Sequence, residues 1–407
     1  MANIIKKNTI LLLYQAAFLL VAFGVIAQSG SKYLYFLAVF YFTFMFCYTG
    51  VFVMLGKIKI LGRAESITLL LSNRLSSRII WTITGLVILL MIGHFVYLGI
   101  NPSITALRSY DYYYIIKLRR DVTFMDSSFW RYVVSFMIRA IIPFIVLFGY
   151  ANFKRKHFWF ILAIMVLYSV SLLSKSYIIT ILLPVLIFST LKNRLTDAAR
   201  FSAIIVIALI ALVVVANPSL RATQNQLVQD SPYKAKSVPT KIKVDDSKSS
   251  IRIATEAIGR RVFLVPGFVV AKWFECIPDS LPYLNGAGYR FIAKPLGLKF
   301  HNYPHELWPY IHPLYAAVGR KGTVNTASFM YDFANWGWKG LLISGLILGL
   351  FLAFVERLFG DNMVAKLSIN ATSIFWLTST SLFTLLFSGG WGLMILLYAL
   401  FGRNLTK

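Results

Sequence analysis

The chain carries little charge, and very little of it is acidic. Of 407 residues, 14% are charged, and only 15 are Asp or Glu. A soluble protein of this length needs about a quarter of its residues charged to cover its surface. A soluble multi-domain fold is therefore excluded. Cysteine is nearly absent too. Cys47 sits in an apolar run and Cys276 in a long loop between such runs, which leaves no disulfide framework and no Cys-based metal site. A small-residue cleavage site is missing behind Met1–Asn8, so the apolar run from Thr9 reads as a retained first span. No repeat recurs at a fixed period.

What the chain does have is apolar sequence, blocked into long runs. Hydrophobic residues make up 58% and the mean hydropathy is +0.70. A helix crosses a bilayer in about 20 residues. The expected fold is an all-α polytopic membrane protein of about ten spans. They are placed at 9–27, 34–55, 79–99, 131–150, 158–174, 176–191, 201–217, 336–355, 370–387 and 389–402. The chain then divides into three parts. Residues 1–216 hold seven spans and a smaller outer loop at 100–130. Residues 217–335 form one large outer loop, and 336–407 hold the last three spans.

Basic residues set the orientation. The net charge is +26, from 41 Lys and Arg. Lys6 and Lys7, Lys57 to Arg78, Lys154 to Lys156, Lys192 to Arg200, Arg357 with Lys366, and Arg403 with Lys407 all fall on one side if both termini are cytoplasmic. This accounts for most of the basic excess without a nucleic-acid partner. It does not account for 217–335, which holds 15 Lys and Arg against 8 Asp and Glu, a net of +7. Long loops cross regardless of charge, so that excess calls for a different reason. Within the loop, 221–250 is polar and reads as mobile. Residues 251–335 have helical apolar spacing followed by aromatics, Pro and Gly, and read as a folded lid of short helices.

Three clusters in the lid could carry chemistry. Arg260-Arg261 presents two planar donor forks of the kind that clamp a diphosphate, with Arg290 and the outer-loop pair Arg119-Arg120 as further candidates. Their plainer reading is a solvated face or contact with lipid head groups. The stretch His301–Pro313 holds His301, His305 and His312 with Glu306 and Tyr310. A zinc-protease motif needs its second His three residues after the Glu on one helix, and Pro309 stands there. A histidine that takes a proton from a hydroxyl fits better, against the plainer reading of hydrogen-bonded structural histidines. The third cluster is Gly322–Gly340. Asp332 and Asn335 share a helix face there, and Trp336 and Trp338 suit the membrane interface. Arg139 lies inside the fourth span, where a charge faces a cavity or snorkels.

Many spans, one basic outer loop with paired Arg and clustered His, and the segment Asn325-Thr326-Ala327-Ser328-Phe329, Asp332, Asn335-Trp336-Gly337 and Gly340 ahead of a span together resemble the Wzy-type O-antigen and oligosaccharide repeat-unit polymerases. The residue-level likeness runs over about 255–345. The resemblance implies a multi-pass enzyme of the bacterial inner membrane. It would transfer glycan from undecaprenyl diphosphate to a lipid-linked oligosaccharide repeat unit at the periplasmic face, without a metal or cofactor. Membrane lipids are implied as surroundings and a chain-length regulator protein as an optional partner. The resemblance further implies Arg260, Arg261 and Arg290 for the diphosphate, and His301, His305 or Glu306 for the acceptor hydroxyl. An O-antigen ligase acting on lipid A-core shares this architecture. A lipid-linked oligosaccharide flippase is the non-enzyme alternative, but transporters tend to show paired interrupted helices, which this sequence lacks.

Overall fold

A computed structural model describes residues 8–57, 73–123, 125–216, 263–317, 319 and 321–405. Their regular structure is all helical, with no strand among the described residues. In chain order the helices begin with α1 (Thr9–Ser29), α2 (Leu34–Lys57), α3 (Asn73–Leu98), α4 (Pro102–Arg108), α5 (Tyr112–Thr123) and α6 (Ser128–Asn152). Next come α7 (Arg155–Ser171), α8 (Lys175–Leu191), α9 (Leu195–Ala216) and α10 (Val265–Cys276). Four short helices follow: α11 (Arg290–Ala293), α12 (Tyr303–Glu306), α13 (Trp308–Ile311) and α14 (Pro313–Ala317). The chain ends with α15 (Ser328–Trp336), α16 (Trp338–Phe359), α17 (Met363–Trp376), α18 (Leu382–Leu386) and α19 (Trp391–Phe401).

Six of these, α1, α2, α3, α6, α9 and α16, are apolar and 21 to 26 residues long. At 1.5 Å per residue each matches or exceeds the roughly 30 Å of a hydrocarbon core. The protein is thus an all-helical, multi-pass membrane protein. The expected span at 370–387 is not one helix. It is α17, a break at Leu377–Ser381 and the short α18. Lys366 also departs from expectation. It is not a solvated loop cation but lies fully buried in α17.

The helices form two compact units, and the boundary between them falls within α17. The first unit holds the described residues of Met1–Gly62, Ala235–Gly360 and Ser373–Thr384. Its backbone is the α1–α2 hairpin with α16 laid along α2. Gly345 and Gly349, one turn apart, make that packing close. A Cβ at Gly345 would stand 3.0 Å from the Phe40 carbonyl, and one at Gly349 2.8 Å from the Phe44 carbonyl. Small residues four apart let helices pack at backbone distance where no hydrophobic force drives them together.

One end of this bundle is pinned by adjacent opposite charges. Buried Glu356 accepts the Ile10 amide at 2.7 Å, the Leu11 amide at 3.3 Å and the Tyr48 hydroxyl at 3.3 Å. It thereby satisfies orphan donors at the amino end of α1. Arg357 donates to the Phe52 carbonyl at 2.6 and 3.0 Å and stacks on the Phe52 ring at 3.6 Å, near the carboxyl end of α2. The opposite end is aromatic: Tyr33 and Phe36 stack on Phe274, and Phe36 meets Phe333.

The second unit holds the described residues of Arg63–Lys234, Asp361–Thr372 and Leu385–Lys407. Asp197 at the start of α9 accepts the Tyr150 hydroxyl at 2.8 Å and pairs with Arg155 and, at 3.3 Å, with Arg200. In α17, Asn370 accepts the Trp391 indole at 2.8 Å. The helix α6 widens into a π turn at Met137–Ile141. Pro143 follows at once and has no N–H for the Arg139 carbonyl, which gives the local cause.

Candidate functional site

The folded segment 263–335 forms the aromatic end of the first unit. Three backbone or indole bonds lace it together. Trp273 Nε1 donates to the Val324 carbonyl at 3.1 Å, the Val324 amide to Pro304 at 2.8 Å, and the Ser328 amide to Leu377 at 2.8 Å.

A turn at Leu284–Tyr289 is clamped onto α15. The Leu284 and Asn285 amides donate to the Ala334 and Asn335 carbonyls at 2.9 and 2.8 Å. The Asn335 side chain accepts both the Gly286 and Gly288 amides at 3.0 Å. Glycine is required here on two counts. Gly286 has φ +96, and a Cβ at Gly288 would stand 2.7 Å from Asn335 Nδ2. The Tyr289 hydroxyl donates to Asp332 Oδ1 at 2.7 Å, and Ser344 also bonds the carboxylate. Asp332 and Asn335 therefore share one helix face, as their spacing implied, and both are buried against the turn rather than open to a ligand.

Burial raises the Asp332 pKa from the ordinary 3.8 to about 6, against the two hydroxyl hydrogen bonds that lower it. The sign follows from linkage. A carboxyl whose folded-state pKa is raised stabilises the fold below about pH 4 and loses that contribution as pH rises through about 6. The shift corresponds to on the order of 3 kcal/mol. Asp332→Asn keeps an acceptor for Tyr289 and carries no charge. The variant is expected to gain thermal stability relative to wild type as pH rises from 4 to 7; thermal melts in detergent at stepped pH check this, and a constant difference between the two proteins would contradict it.

The clamped turn carries the candidate chemistry. The His301 amide donates to the Ala287 carbonyl at 3.0 Å. His301 Nδ1 lies 3.3 Å from both oxygens of Glu306, and both side chains are partly exposed. Glu306 Oε1 also accepts the Asn302 amide at 3.0 Å, reaching back over the start of α12 as capping acids do. Arg290, exposed at the start of α11, lies over the Phe300 ring at 4.7 Å, next in sequence to His301. Arg290, His301 and Glu306 are thus gathered on one small scaffold.

The other candidates lie elsewhere. His305 is exposed and its Nδ1 faces the Gly322 carbonyl at 3.1 Å. His312 packs against Trp308 at 4.4 Å, and burial lowers its pKa. Tyr310 is exposed. No group of three His, Cys, Asp or Glu residues converges among the described residues. Arg119 and Arg120 are exposed on α5, with Arg120 3.6 Å from Asp121, and Arg139 sits in the π turn of α6. All three belong to the second unit. Arg260 and Arg261 lie outside the described residues, as does 221–250.

Sequence reasoning missed two partners. Glu306 is adjacent to His305 in sequence, whereas its contact is with His301, five residues back. The second is Tyr289, the partner of Asp332. Tyr289 lies in the aromatic stretch ahead of the histidines, and nothing local signals a bond across 43 residues.

Fold and site together define a multi-pass helical membrane protein with a folded segment, bearing an Arg and a His–Glu pair, at one end of a helical unit. The chain matches no protein-family model, and comparison with curated proteins and with solved structures finds no match.

Proposed function

We propose that this protein is a polysaccharide polymerase of the Wzy type. It transfers glycan from undecaprenyl diphosphate to a lipid-linked oligosaccharide repeat unit at the periplasmic face of the bacterial inner membrane. The proposal includes about ten spans and cytoplasmic termini. The observation that carries it is the His301–Glu306 pair beside Arg290 on a segment at the bundle end opposite Lys57 and Arg357.

The chemistry runs as follows. Glu306 accepts a hydrogen bond from His301 Nδ1–H, which favours the tautomer with an unprotonated Nε2. Nε2 takes the proton of an acceptor hydroxyl while that oxygen bonds the anomeric carbon of the donor. The bond from that carbon to the diphosphate breaks, and undecaprenyl diphosphate leaves with the electron pair. Negative charge grows on the leaving group, where a preorganised guanidinium acts most strongly if water is excluded. The Arg290 guanidinium lies over the Phe300 ring at 4.7 Å, and its planar donor fork is suited to that task. Arg260, Arg261, Arg119, Arg120 and Arg139 remain proposed diphosphate-binding residues.

Arg290→Ala is expected to lower glycan extension by about 100-fold, the cost of one oxyanion-type donor. Arg290→Lys recovers only part, because a point charge lacks the fork. Glycan chain length in a strain carrying each variant, at matched protein abundance, checks this. Full-length glycan from Arg290→Ala would remove Arg290 from the diphosphate role.

A further inference from the structure

The sequence places 251–271 in a lid above the membrane, yet α10 packs along α1 within its apolar length. A Cβ at Gly24 would stand 2.9 Å from the Gly267 Cα and 3.1 Å from the Leu264 carbonyl, and one at Gly267 would fall on the Gly24 backbone. The two helices touch with no side chain between them. The next contacts fix the direction. Phe274, two turns beyond Gly267, stacks on Tyr33 and Phe36 at the α1–α2 turn. So α10 runs parallel to α1, with its carboxyl end at the turn and its amino end deeper.

The depth follows from helix rise. Gly24 lies five residues before the Ser29 end of α1, hence about 7–8 Å below it at 1.5 Å per residue. Val265 lies two residues before Gly267, at about 10 Å. Because α1 spans about 30 Å, that depth is hydrocarbon, not head group. The side chains there are apolar and partly exposed: Phe263, Leu264 and Val265 are 51%, 36% and 42% exposed. Phe23 on α1, beside Gly24, is 60% exposed and belongs to the outer face of a span.

We infer that the amino-terminal end of α10 is inserted in the bilayer, and that Phe263, Leu264 and Val265 form a surface for lipid acyl chains continuous with that of α1. The helix then anchors the folded segment to the membrane and fixes its height, so that the Arg290 and His301 scaffold rides just above the hydrocarbon. The inference rests on α1 crossing the membrane and is independent of glycan transfer. A glycan-transfer failure leaves it intact, and its own failure leaves the polymerase reading intact.

The test uses the full-length protein in native membranes. Phe263, Phe23 and Tyr310 are replaced, one at a time, by a diazirine-bearing phenylalanine. Its carbene inserts into whatever it meets on illumination, and mass spectrometry distinguishes a phospholipid adduct, a water adduct and a protein cross-link. The expected result is a phospholipid adduct at Phe263 in the same proportion as at Phe23 and several-fold above that at Tyr310. A water adduct at Phe263 matching Tyr310 would overturn the inference. A protein cross-link at Phe263 would overturn it equally, because another segment or chain then covers the surface.

Discussion

His301→Ala is expected to reduce glycan extension by about 10²- to 10⁴-fold, the contribution of a positioned general base, with protein abundance unchanged. The side chain is partly exposed and stands at the rim of a scaffold held by other bonds, so its removal costs little stability. Those bonds are the two Asn335 amide contacts and the Tyr289–Asp332 pair, neither of which involves the imidazole. Glu306→Gln keeps an acceptor for the Asn302 amide but no longer holds a charge beside Nδ1. It is expected to lose part of the rate and none of the fold. His305→Ala and His312→Ala are the contrasts. His305 faces the Gly322 carbonyl and His312 packs on Trp308, so each is expected to retain most activity. Glycan chain length in strains carrying each variant measures all four. Activity retained in His301→Ala and lost in His305→Ala would move the base to the other histidine.

Glu356→Ala carries the largest expected cost in stability. One buried carboxylate serves the Ile10 and Leu11 amides and the Tyr48 hydroxyl. Removing it leaves buried donors without an acceptor, at about 1–3 kcal/mol for each. A loss of 3 kcal/mol or more is the expected order. Gly345 and Gly349 hold α16 against α2 at backbone contact, so the ends of α1 and α2 cannot shift to new partners without breaking that packing. Glu356→Gln retains an acceptor and is expected to cost much less. Thermal unfolding of the purified protein in detergent checks both. Equal melting temperatures for wild type and Glu356→Ala would show that water reaches this end and satisfies the amides.

The membrane class was legible from apolar runs alone, because a bilayer demands helices of fixed length. The break at Leu377–Ser381 was not, since averaged hydropathy passes over Thr378-Ser379-Thr380-Ser381 between two apolar stretches. Orientation rules group Lys366 with the loop charges because they count residues near span ends. The structure starts α17 at Met363 and folds the lysine into the interior. At the site, the relevant residue types stood in the sequence but their pairings did not. Glu306 finds His301 because Tyr303 and Pro304 open a short helix that turns the carboxylate back on the chain. Asp332 finds Tyr289 only once the glycine turn docks on α15. Gly267 carried a weak signal, a glycine within an apolar helix, that close approach explains.

Extension of a glycan on a lipid carrier, as proposed for this chain, is read out by a lipopolysaccharide gel of a strain deleted for it. The expected lipopolysaccharide stops at core plus one repeat unit, with the long-chain ladder restored by the wild-type chain and not by His301→Ala. An unchanged ladder in the deletion strain would contradict a polymerase role, and bare core in its place would assign the chain to ligation instead.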